Sequence, residues 1–490
     1  MGKFLAFDFG ASSGKAVLGK LRHNRLEIEE IHRFPNHRIK KDGHIRWDFS
    51  YLLHEMEIGL DLLAGRGIQK LDGVGVDTWG VDFGLLDAQG CLLEDPVCYR
   101  DHRTKGMLEK ILQRMSRDEI YQRTGIQFMP INTSVQLFAL VESGSPLIQK
   151  ARHLVFMPDL FHYVLSGQIV SEKTIASTSQ LINLHSQSWD EIMLERLGIP
   201  PHILPPMIFP GTNLGKMSPL KKGRMRIKAD VIVPAGHDTA CAVAAVPAAA
   251  DKRWAYLSSG TWSLLGIETY KPLTGDKAQR FNFTNEAGVS GTYRFLRNTM
   301  GLWLLQECRR SWEKDGEMLG YSQILSLARS APEFGPVIDP DDIRFLHPSD
   351  MPQAIQNFCR ETGQNPPQEK GRLVRCIFES LALKYRYVLD RLQEAASYRV
   401  DMLHIVGGGA GNALLNQFTA DACGVLVMAG PQEATSIGNI LIQAVARREV
   451  STLEEARAVI RRSFPVKSYS PQNILCWDKF YHRHKKLFDK

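Results

Sequence analysis

The chain has 490 residues, of which 44% are apolar and 23% are charged, and its formal net charge is +7. A chain of this length is too long to fold around a single ordinary hydrophobic core, so we expect two domains of roughly 200–250 residues. We place these domains at 1–246 and 247–490. The mild charge argues against a nucleic-acid-binding protein, because no basic stripe repeats along the chain. The densest basic stretch, residues 221–228, could touch a polyanion, but a solvated loop is the simpler interpretation.

Membrane insertion and a disulfide framework are also not expected. The longest small-apolar run, residues 240–250, is too short to cross a bilayer and contains Pro247. The first strand already has the character of core, so we expect no secretory signal. The eight cysteines show no CxxC pair, which argues against zinc. Cys359 and Cys376 could pair if the fold brings them together, but reduced thiols in the cytoplasm are the better expectation.

The first half alternates strand-like and helix-like patterns. The predicted strands are 4–9, 15–21, 25–33 and 71–76, and we expect 81–86 to continue the sheet. Asp48 is the expected N-cap of a helix at 51–63. Further helices are predicted near 105–115, 134–147, 157–166 and 189–197. A short buried strand at 231–233 ends in the segment Pro-Ala-Gly-His-Asp.

The second half continues the alternation. Residues 240–250 are predicted as a helix followed by a linker, and two strands at 254–257 and 262–266 follow. We expect helices at 299–312, 373–395, 412–423 and 433–448, and strands at 403–406 and 425–428. The whole predicts a two-domain α/β protein with mixed sheets, whose default ligand site is the cleft between the domains.

Each half opens with a strand, a tight turn of small residues and a second strand. The turns are Gly-Ala-Ser-Ser-Gly at 10–14 and Ser-Ser-Gly-Thr at 258–261. Glycine lets the backbone approach a ligand closely, and hydroxyl and N–H groups suit an anion. The pair therefore predicts a nucleotide triphosphate held between the turns, although either turn alone could be an ordinary hairpin. A P-loop is excluded, since Ala16 follows Lys15 where Ser or Thr is required. Asp8, beside the first turn, could hold Mg²⁺ through water.

Four further features have a chemical and a structural interpretation. Asp238, between a buried strand and a helix, could accept the proton of a substrate hydroxyl, or it could simply cap the helix. Trp79 between acidic residues could bind a sugar face or turn a hairpin. The Gly-Gly-Gly at 407–409 could receive a ring or phosphate near a helix N-terminus, or form a tight turn without ligand. Asn298 and Gln306 would ordinarily be surface polar residues at a helix edge.

Together these motifs resemble the FGGY family of carbohydrate kinases, within the actin-like ATPase superfamily. The resemblance rests on ordered segments that span nearly the whole chain, namely 8–14 (DFGASSG), 76–83 (VDTWGVDF), 236–240 (GHDTA), 258–263 (SSGTWS), 282–286 (NFTNE) and 404–424. It implies two actin-like (ribonuclease H-like) ATPase domains with mixed sheets and an interdomain active-site cleft.

The resemblance also implies an activity and a set of site residues. The activity is ATP-dependent phosphorylation of the 1-hydroxyl of the ketose L-rhamnulose, in L-rhamnose catabolism, with Mg²⁺ as cofactor. Asp238 would be the general base. The implied sugar contacts are Gly80, His237, Asp238, Thr239 and Asn298. Asp82 and Trp79 extend that motif. The implied nucleotide contacts are Ala11, Ser12, Ser13, Gly14, Lys15, Thr261, Gln306 and Gly408.

Two positions depart from the family pattern. Lys15 stands where relatives often have Arg, which keeps the charge but loses the planar fork for bidentate phosphate contact. Ala287 stands where Gly is often seen. Neither change removes a catalytic group.

Other functions remain open at this point. The same scaffold would suit fuculose, xylulose or gluconate, because sugar specificity depends on a few contacts. A non-catalytic, actin-like nucleotide-binding protein is the alternative from another class. The expected partners are a small sugar and ATP, without nucleic acid or membrane, and the expected assembly is a monomer or homodimer.

Overall fold

Residues 2–219, 227–249 and 252–489 are described by a computed structural model. Most of the basic stretch singled out above lies outside these ranges. The strands, in chain order, are β1 (Gly2–Phe9), β2 (Ser13–Arg22), β3 (Arg25–Pro35), β4 (Arg38–Lys41), β5 (His44–Trp47), β6 (Gly73–Thr78), β7 (Phe83–Leu86), β8 (His153–Phe156), β9 (Ser171–Glu172), β10 (Met207–Ile208), β11 (Asn213–Lys216), β12 (Asp230–Ile232), β13 (Trp254–Ser259), β14 (Trp262–Thr269), β15 (Thr284–Ala287), β16 (Tyr293–Met300), β17 (Met402–Val406), β18 (Leu426–Ala429) and β19 (Lys467–Tyr469).

The α-helices alternate with these strands. In chain order they are α1 (Phe49–Gly65), α2 (Met107–Arg114), α3 (Arg117–Thr124), α4 (Thr133–Glu142), α5 (Pro146–Lys150), α6 (Met157–Ser166), α7 (Lys173–Ala176), α8 (Glu191–Leu197), α9 (Asp238–Ala244), α10 (Asp276–Arg280), α11 (Trp303–Lys314), α12 (Tyr321–Ser330), α13 (Met351–Glu361), α14 (Lys370–Ala396), α15 (Ala413–Cys423), α16 (Ala434–Ala446), α17 (Leu453–Ser463) and α18 (Ile474–His484). The expected α/β class with mixed sheets is confirmed.

The chain forms two compact units, each discontinuous in sequence. Unit 1 contains Met1–Pro247, Glu268–Phe295 and Ala434–Phe464, and unit 2 contains Ala248–Ile267, Leu296–Glu433 and Pro465–Lys490. Two segments of the second half thus belong to unit 1. The division of the chain into domains at residue 246 stays a prediction.

Unit 1 is built on a six-stranded sheet in the order β11-β12-β6-β1-β2-β3. The strands β1, β2 and β3 form an antiparallel meander, whereas β1 and β12 run parallel to β6. Phe4, Leu5, Ala6 and Phe7 of β1 have no exposed surface, as expected for a central strand that is covered on both faces. The helix α16 packs on this sheet, and the amide of Gln443 donates to the Leu5 carbonyl over 3.1 Å.

Unit 2 contains most of a seven-stranded sheet, whose order is β15-β16-β14-β13-β17-β18-β19. The strands β13 and β14 form an antiparallel hairpin, and β13, β17 and β18 run parallel. The long helix α14 is buried on every side between Leu373 and Tyr385 and packs against neighbouring helices of the unit. Both predicted hairpins are therefore present, one in each unit.

Two secondary-structure expectations are wrong. The segment 83–86 does not continue the large sheet; β7 pairs with β8 in a separate two-stranded sheet. Residues 299 and 300 end the strand β16, and the helix α11 begins at Trp303. Gly301 explains the second difference, because its amide donates to the Thr261 carbonyl over 3.1 Å and so turns the chain out of the strand.

Cys359 and Cys376 lie next to each other in unit 2. Both thiols are buried and free. A hydrogen bond between them lowers the pKa of Cys359 and raises that of Cys376. The fold thus brings the two sulfurs together, as a pairing would require. Among the described residues, no helix combines the length and the hydrophobicity needed to span a bilayer.

Candidate active site

Polar side chains gather where three parallel strands of unit 1 end. Asp8 is the second-last residue of β1 and Asp77 is the second-last residue of β6. The segment after β12 carries His237 and Asp238. Asp8 and Asp77 occupy the same register position on the adjacent strands. The amide of Thr78 donates to the Gly236 carbonyl over 2.9 Å, which ties the end of β6 to the segment after β12. The carboxyl ends of parallel strands are where α/β proteins bind ligands.

The first turn is held in a fixed shape by its own backbone and by Asn36. The Gly10 amide donates to the Ser13 carbonyl over 3.0 Å, and the Asn36 side chain donates to the Gly10 carbonyl over 2.9 Å. Gly14 is required because a β-carbon there would collide with the ring of Phe34. Ala11, Ser12 and Ser13 stay half-buried, so the turn is preorganised and keeps a surface for a ligand.

Lys15 and Asp8 face each other across this hairpin. They are register partners of β1 and β2, and Nζ of Lys15 lies 3.2 Å from Oδ2 of Asp8. The same oxygen accepts a hydrogen bond of 2.9 Å from the hydroxyl of Ser436 in α16. Asp8 is thus fixed beside the turn, and Lys15 places a positive charge at the end of the turn.

Asp77 is a second carboxylate at this edge, and it belongs to the motif at 76–83, which predicted no role for it. It is fully buried. Nδ2 of Asn439 donates to its Oδ2 over 2.6 Å, whereas Oδ1 is a buried oxygen without a hydrogen-bond partner. Burial, and next the charge of Asp8, raise the pKa of Asp77 well above its usual range.

These carboxyl groups fit a magnesium ion. Mg²⁺ takes oxygen ligands, keeps several waters and is usually held by one or two carboxylates. Within the described part of the chain no cluster of three or more His, Cys, Asp or Glu side chains could hold a metal. Asp8, with the unpartnered oxygen of Asp77 on the adjacent strand, would supply the protein oxygens of such a water-rich site.

The second group of site residues is His237, Asp238 and Thr239, at the start of α9. His237 is the N-cap residue and Asp238 is the first residue of the helix. Oδ1 of Asp238 accepts from the Thr239 amide over 2.5 Å and from the Thr239 hydroxyl over 3.1 Å. The Asp238 side chain is 28% exposed. Burial raises the pKa of Asp238, and the charge of Asp8 adds to that rise. A carboxylate that has a raised pKa and is partly exposed at a strand end is suited to accept a proton.

The carboxylate of Glu172 binds the backbone of the segment that carries His237 and Asp238. No motif in the sequence predicted this role for Glu172. Its Oε2 accepts from the Gly236 amide over 2.7 Å. Its carboxylate also accepts from the amides of Thr174 and Ile175. The hydroxyl of Thr174 in turn accepts from the His237 amide over 3.3 Å. The short helix α7 therefore fixes the backbone that presents His237 and Asp238.

Gly80 lies directly against the ring of His237. A β-carbon on Gly80 would be 3.3 Å from Nε2 of His237, which is tighter than an ordinary packing contact. The predicted sugar residues Gly80 and His237 are thus brought together within unit 1.

Asp82 is placed differently from the expectation. It has no exposed surface, and its Oδ2 accepts from Nε1 of Trp47 over 2.7 Å and from Nε1 of Trp79 over 3.0 Å. Burial, opposed by these hydrogen bonds, raises the pKa of Asp82 to about 6. The two indole rings pack with centroids 4.2 Å apart, and Trp79 is 4% exposed. Nε2 of Gln136 donates to the other oxygen, Oδ1, over 3.1 Å, so both oxygens of Asp82 already accept hydrogen bonds. The sugar contact expected of Asp82 stays a prediction, and this packing favours a positioning role.

In unit 2, the second hairpin turn meets the start of α11. The Leu302 amide donates to the Gly260 carbonyl over 2.9 Å. The hydroxyl of Thr261 donates to Oε1 of Gln306 over 3.4 Å. Two of the predicted nucleotide residues, Thr261 and Gln306, thus lie in contact.

Gly408 belongs to a turn that packs against the end of β13. Gly407 has φ +83°, and a β-carbon on Gly409 would collide with the Ser259 side chain. Gly408 itself is exposed and faces open space. The glycines therefore let the loop pack closely on β13 while Gly408 stays bare.

Asn298 lies on β16 and is half-buried. Two residues later, the Met300 amide donates to Oδ1 of Asp341 over 2.8 Å. The part of β16 from residue 296 onwards belongs to unit 2, so Asn298 shares that unit with Thr261, Gln306 and Gly408. The remaining predicted site residues lie in unit 1.

Comparison with known proteins defines the class. The profile of the N-terminal domain of the FGGY family of carbohydrate kinases matches residues 3–245, and that of the C-terminal domain matches residues 255–447. The chain therefore belongs to the FGGY family of carbohydrate kinases. It is a sugar phosphotransferase.

Two relatives and one solved structure show how far the similarity extends. A rhamnulokinase of Bacteroides thetaiotaomicron is 45% identical over 483 residues, covering 98% of each chain. A rhamnulokinase of Pectobacterium carotovorum subsp. carotovorum is 44% identical over 470 residues, covering 96% of this chain and 93% of the relative. The crystal structure of a xylulose kinase from Lactobacillus acidophilus superposes with a TM-score of 0.79 at 15% identity, covering 99% and 98% of the two chains. The last similarity shows the shared fold.

Proposed function

We propose that this kinase transfers the γ-phosphoryl group of ATP to the 1-hydroxyl of L-rhamnulose, giving L-rhamnulose 1-phosphate in L-rhamnose catabolism. The observation that carries the proposal is the partly exposed Asp238 at the end of a parallel strand, with a raised pKa and one oxygen held by Thr239. The rhamnulokinases that share 44–45% identity with the chain support L-rhamnulose as the sugar.

In this proposal Asp238 accepts the proton of the attacking hydroxyl. Thr239 occupies Oδ1 with two hydrogen bonds, so Oδ2 is the oxygen left for the sugar. A base whose pKa lies closer to the operating pH takes up the proton more effectively as the new phosphate ester bond forms. The γ-phosphoryl group passes in line from ATP to the sugar oxygen, and ADP leaves as the bond to the β-phosphate oxygen breaks. The proton of the hydroxyl remains on Asp238 until it is lost to solvent.

We propose that the nucleotide contacts both hairpin turns. Residues 11–15 of the first turn and Thr261 of the second would bind the phosphates, and Gln306 and Gly408 would lie against the rest of the nucleotide. Asp8 would hold Mg²⁺ through water, with Asp77 beside it. The bound ion would neutralise charge on the phosphates. The bare backbone at Gly408 and the preorganised turn at 10–14 support these roles.

The sugar contacts proposed are Gly80, His237, Thr239 and Asn298. Gly80 leaves its α-carbon bare beneath the His237 ring, so a sugar can approach the backbone there. Asp82 acts indirectly in this proposal, by fixing Trp47 and Trp79.

The cellular setting is part of the proposal. Free thiols at all eight cysteines agree with a reducing compartment, and we propose the cytoplasm. The partners proposed are ATP and the sugar, with no nucleic acid or membrane and with a monomer or homodimer as the working form.

A panel of ketoses tests the substrate. The purified protein with ATP and Mg²⁺ is assayed on L-rhamnulose, L-fuculose and D-xylulose, with gluconate as the sugar acid, and the product is located by phosphorus NMR. We expect the highest kcat/KM on L-rhamnulose and a phosphate on carbon 1. A higher kcat/KM on another sugar would refute the substrate, whereas ATP consumption that ignores every sugar would refute the phosphotransfer itself.

A further inference from the structure

A buried arginine stands behind the histidine that precedes the proposed base. Arg294 in β16 has no exposed surface. Its Nη2 lies 3.2 Å from Nδ1 of His237 and 3.0 Å from Oε2 of Glu286. Its Nε donates to the Ala287 carbonyl over 3.0 Å. A buried ion pair stabilises a fold weakly because desolvation opposes it, so this pair calls for a reason beyond stability.

We propose that Arg294 and Glu286 are positioning residues that hold His237 as the neutral tautomer with its proton on Nε2, directed at Oδ1 of Asp238. The proposal rests on the function proposed for Asp238, and it adds two residues that no comparison assigns.

The chemistry of the guanidinium decides which nitrogen carries the proton. Arginine offers N–H donors only and stays charged. A donor 3.2 Å from Nδ1 of His237 therefore requires a lone pair on Nδ1. A neutral imidazole with a lone pair on Nδ1 carries its hydrogen on Nε2.

Glu286 completes the arrangement and also defines its alternative. Its Oε2 lies 3.3 Å from Nδ1 of His237, so without the arginine this carboxylate would draw a proton onto Nδ1. With Arg294 in place, Nη2 forms an ion pair with Oε2 of Glu286 and donates a hydrogen bond to Nδ1 of His237. The negative charge of Glu286 then neutralises the positive charge of Arg294, and the carboxylate does not draw a second proton onto His237.

The tautomer of His237 determines how the carboxylate of Asp238 is held. Nε2 of His237 lies 3.4 Å from Oδ1 of Asp238, the oxygen that also accepts from Thr239. Three donors thus converge on Oδ1 and fix the rotation of the carboxylate, while Oδ2 receives none of the three. A neutral His237 also places no full positive charge beside the base, so the base keeps its affinity for a proton.

Histidine-labelled protein tests the tautomer directly. Two-dimensional ¹⁵N–¹H spectra separate a ring nitrogen that bears hydrogen from one that bears a lone pair, and His237→Gln identifies the His237 signals among the 15 histidines. At neutral pH we expect hydrogen on Nε2 and a lone pair on Nδ1. Hydrogen on Nδ1, alone or with Nε2, would overturn the proposal.

Variants test the cause. In Arg294→Met, Glu286 should draw the proton to Nδ1, and kcat should fall about tenfold, less than the factor of about 10²–10⁴ that a general base supplies. The KM for ATP should stay within about twofold of the wild-type value, since the change spares the uniform binding of the nucleotide. The double variant Glu286→Gln/Arg294→Met leaves no unpaired buried charge. It can therefore be measured in place of the single variant if Arg294→Met does not fold. It should release His237 from a fixed tautomer.

A matched control uses another buried Arg–Glu pair of unit 1. Nη2 of Arg457 lies 2.9 Å from Oε2 of Glu268, and Arg457→Met should leave the His237 spectrum and kcat unchanged. An equal loss of kcat in both variants would make Arg294 merely structural. A negative result in the sugar panel or in an Asp238 variant would refute the proposed function but would leave the His237 spectrum as predicted. Failure of the proposed function can therefore be distinguished from failure of the tautomer proposal.

Discussion

The imidazole of His237 covers the α-carbon of Gly80, and 3.3 Å would separate Nε2 of the ring from a β-carbon placed there. Gly80→Ala should therefore push the ring away from its position near Asp238 by a few tenths of an ångström. Misplacement of a reacting group on this scale costs roughly three- to thirtyfold in rate. We expect kcat/KM for the sugar to fall by that factor, measured by steady-state kinetics.

The control for this variant is Gly65→Ala. A β-carbon on Gly65 meets no atom within 4 Å, so it should leave the kinetics unchanged. Wild-type kinetics in Gly80→Ala would show that the His237 ring is not held in place during turnover.

Asp238→Asn should lower kcat by about 10²–10⁴ while ATP still binds, because the amide cannot take the hydroxyl proton. Thr239 would still donate to the remaining oxygen, so the start of α9 should survive. Kinetics with the sugar, together with calorimetric titration of ATP, measure both effects. Asp276→Asn serves as a control, since Asp276 is likewise the first residue of a helix. If Asp238→Asn turned over at near wild-type rates, Asp238 would be a helix-capping residue and not the base.

The sequence predicted the parts of the site that local patterns encode. Both hairpins follow from apolar strands interrupted by Gly, Ser and Thr, and the N-cap Asp48 follows from local helix chemistry, with its side chain accepting from the Tyr51 amide over 2.9 Å. The class of fold follows from the alternation of strands and helices. These features depend on neighbours in the chain, which a single sequence shows.

Contacts between distant segments could not be predicted. Glu172 reaches the Gly236 amide across 64 positions, and Arg294 reaches His237 across 57. No periodicity marks either residue. Asp82 shows the same limit, because its motif suggested a sugar contact and gave no sign that the indoles of Trp47 and Trp79 enclose the carboxylate. Asn285 and Glu286 belonged to a quoted motif, but only the fold shows what Glu286 faces.

Thr261→Val should weaken ATP binding more than sugar binding. The hydroxyl of Thr261 lies in the second hairpin turn and donates to Gln306, and both residues are proposed nucleotide contacts. We expect the KM for ATP to rise about five- to tenfold, the loss of about one hydrogen bond, with the KM for the sugar within twofold.

Thr269→Val is the matched control for that prediction. Thr269 lies at the far end of the same hairpin and its hydroxyl donates to the Lys271 carbonyl, so the variant should keep the wild-type KM for ATP. A sugar KM that rises more than the ATP KM in Thr261→Val would move the second turn out of the nucleotide site.

Asp159 predicts a pH dependence of stability that is independent of catalysis. It is fully buried, its Oδ1 has no hydrogen-bond partner, and burial raises its pKa to about 8. Below the ordinary pKa of about 4 the carboxyl is neutral in both folded and unfolded chains, so it causes no difference. As the pH rises from about 4 to about 8, the unfolded chain loses this proton first, and Asp159 destabilises the fold progressively.

Asp159→Asn should remove that effect, because the amide oxygen can still accept from the Glu172 amide, as Oδ2 does over 3.0 Å. We expect the variant to be more stable than the wild type at pH 8 by about 1–3 kcal/mol, the scale of one unsatisfied buried polar group. The difference should shrink toward pH 4. Urea unfolding at several pH values measures it.

Asp230→Asn should change the stability at pH 8 in the opposite direction. Burial acts to raise the pKa of Asp230, but Lys216 and Arg447 outweigh it and lower the pKa. This carboxylate therefore stabilises the fold above its unfolded pKa, and the stabilisation is lost as the pH falls through the folded pKa. Asp230→Asn should be less stable than the wild type at pH 8, where Asp159→Asn is more stable. If Asp159→Asn were no more stable than the wild type at pH 8, the predicted pH dependence would not come from Asp159.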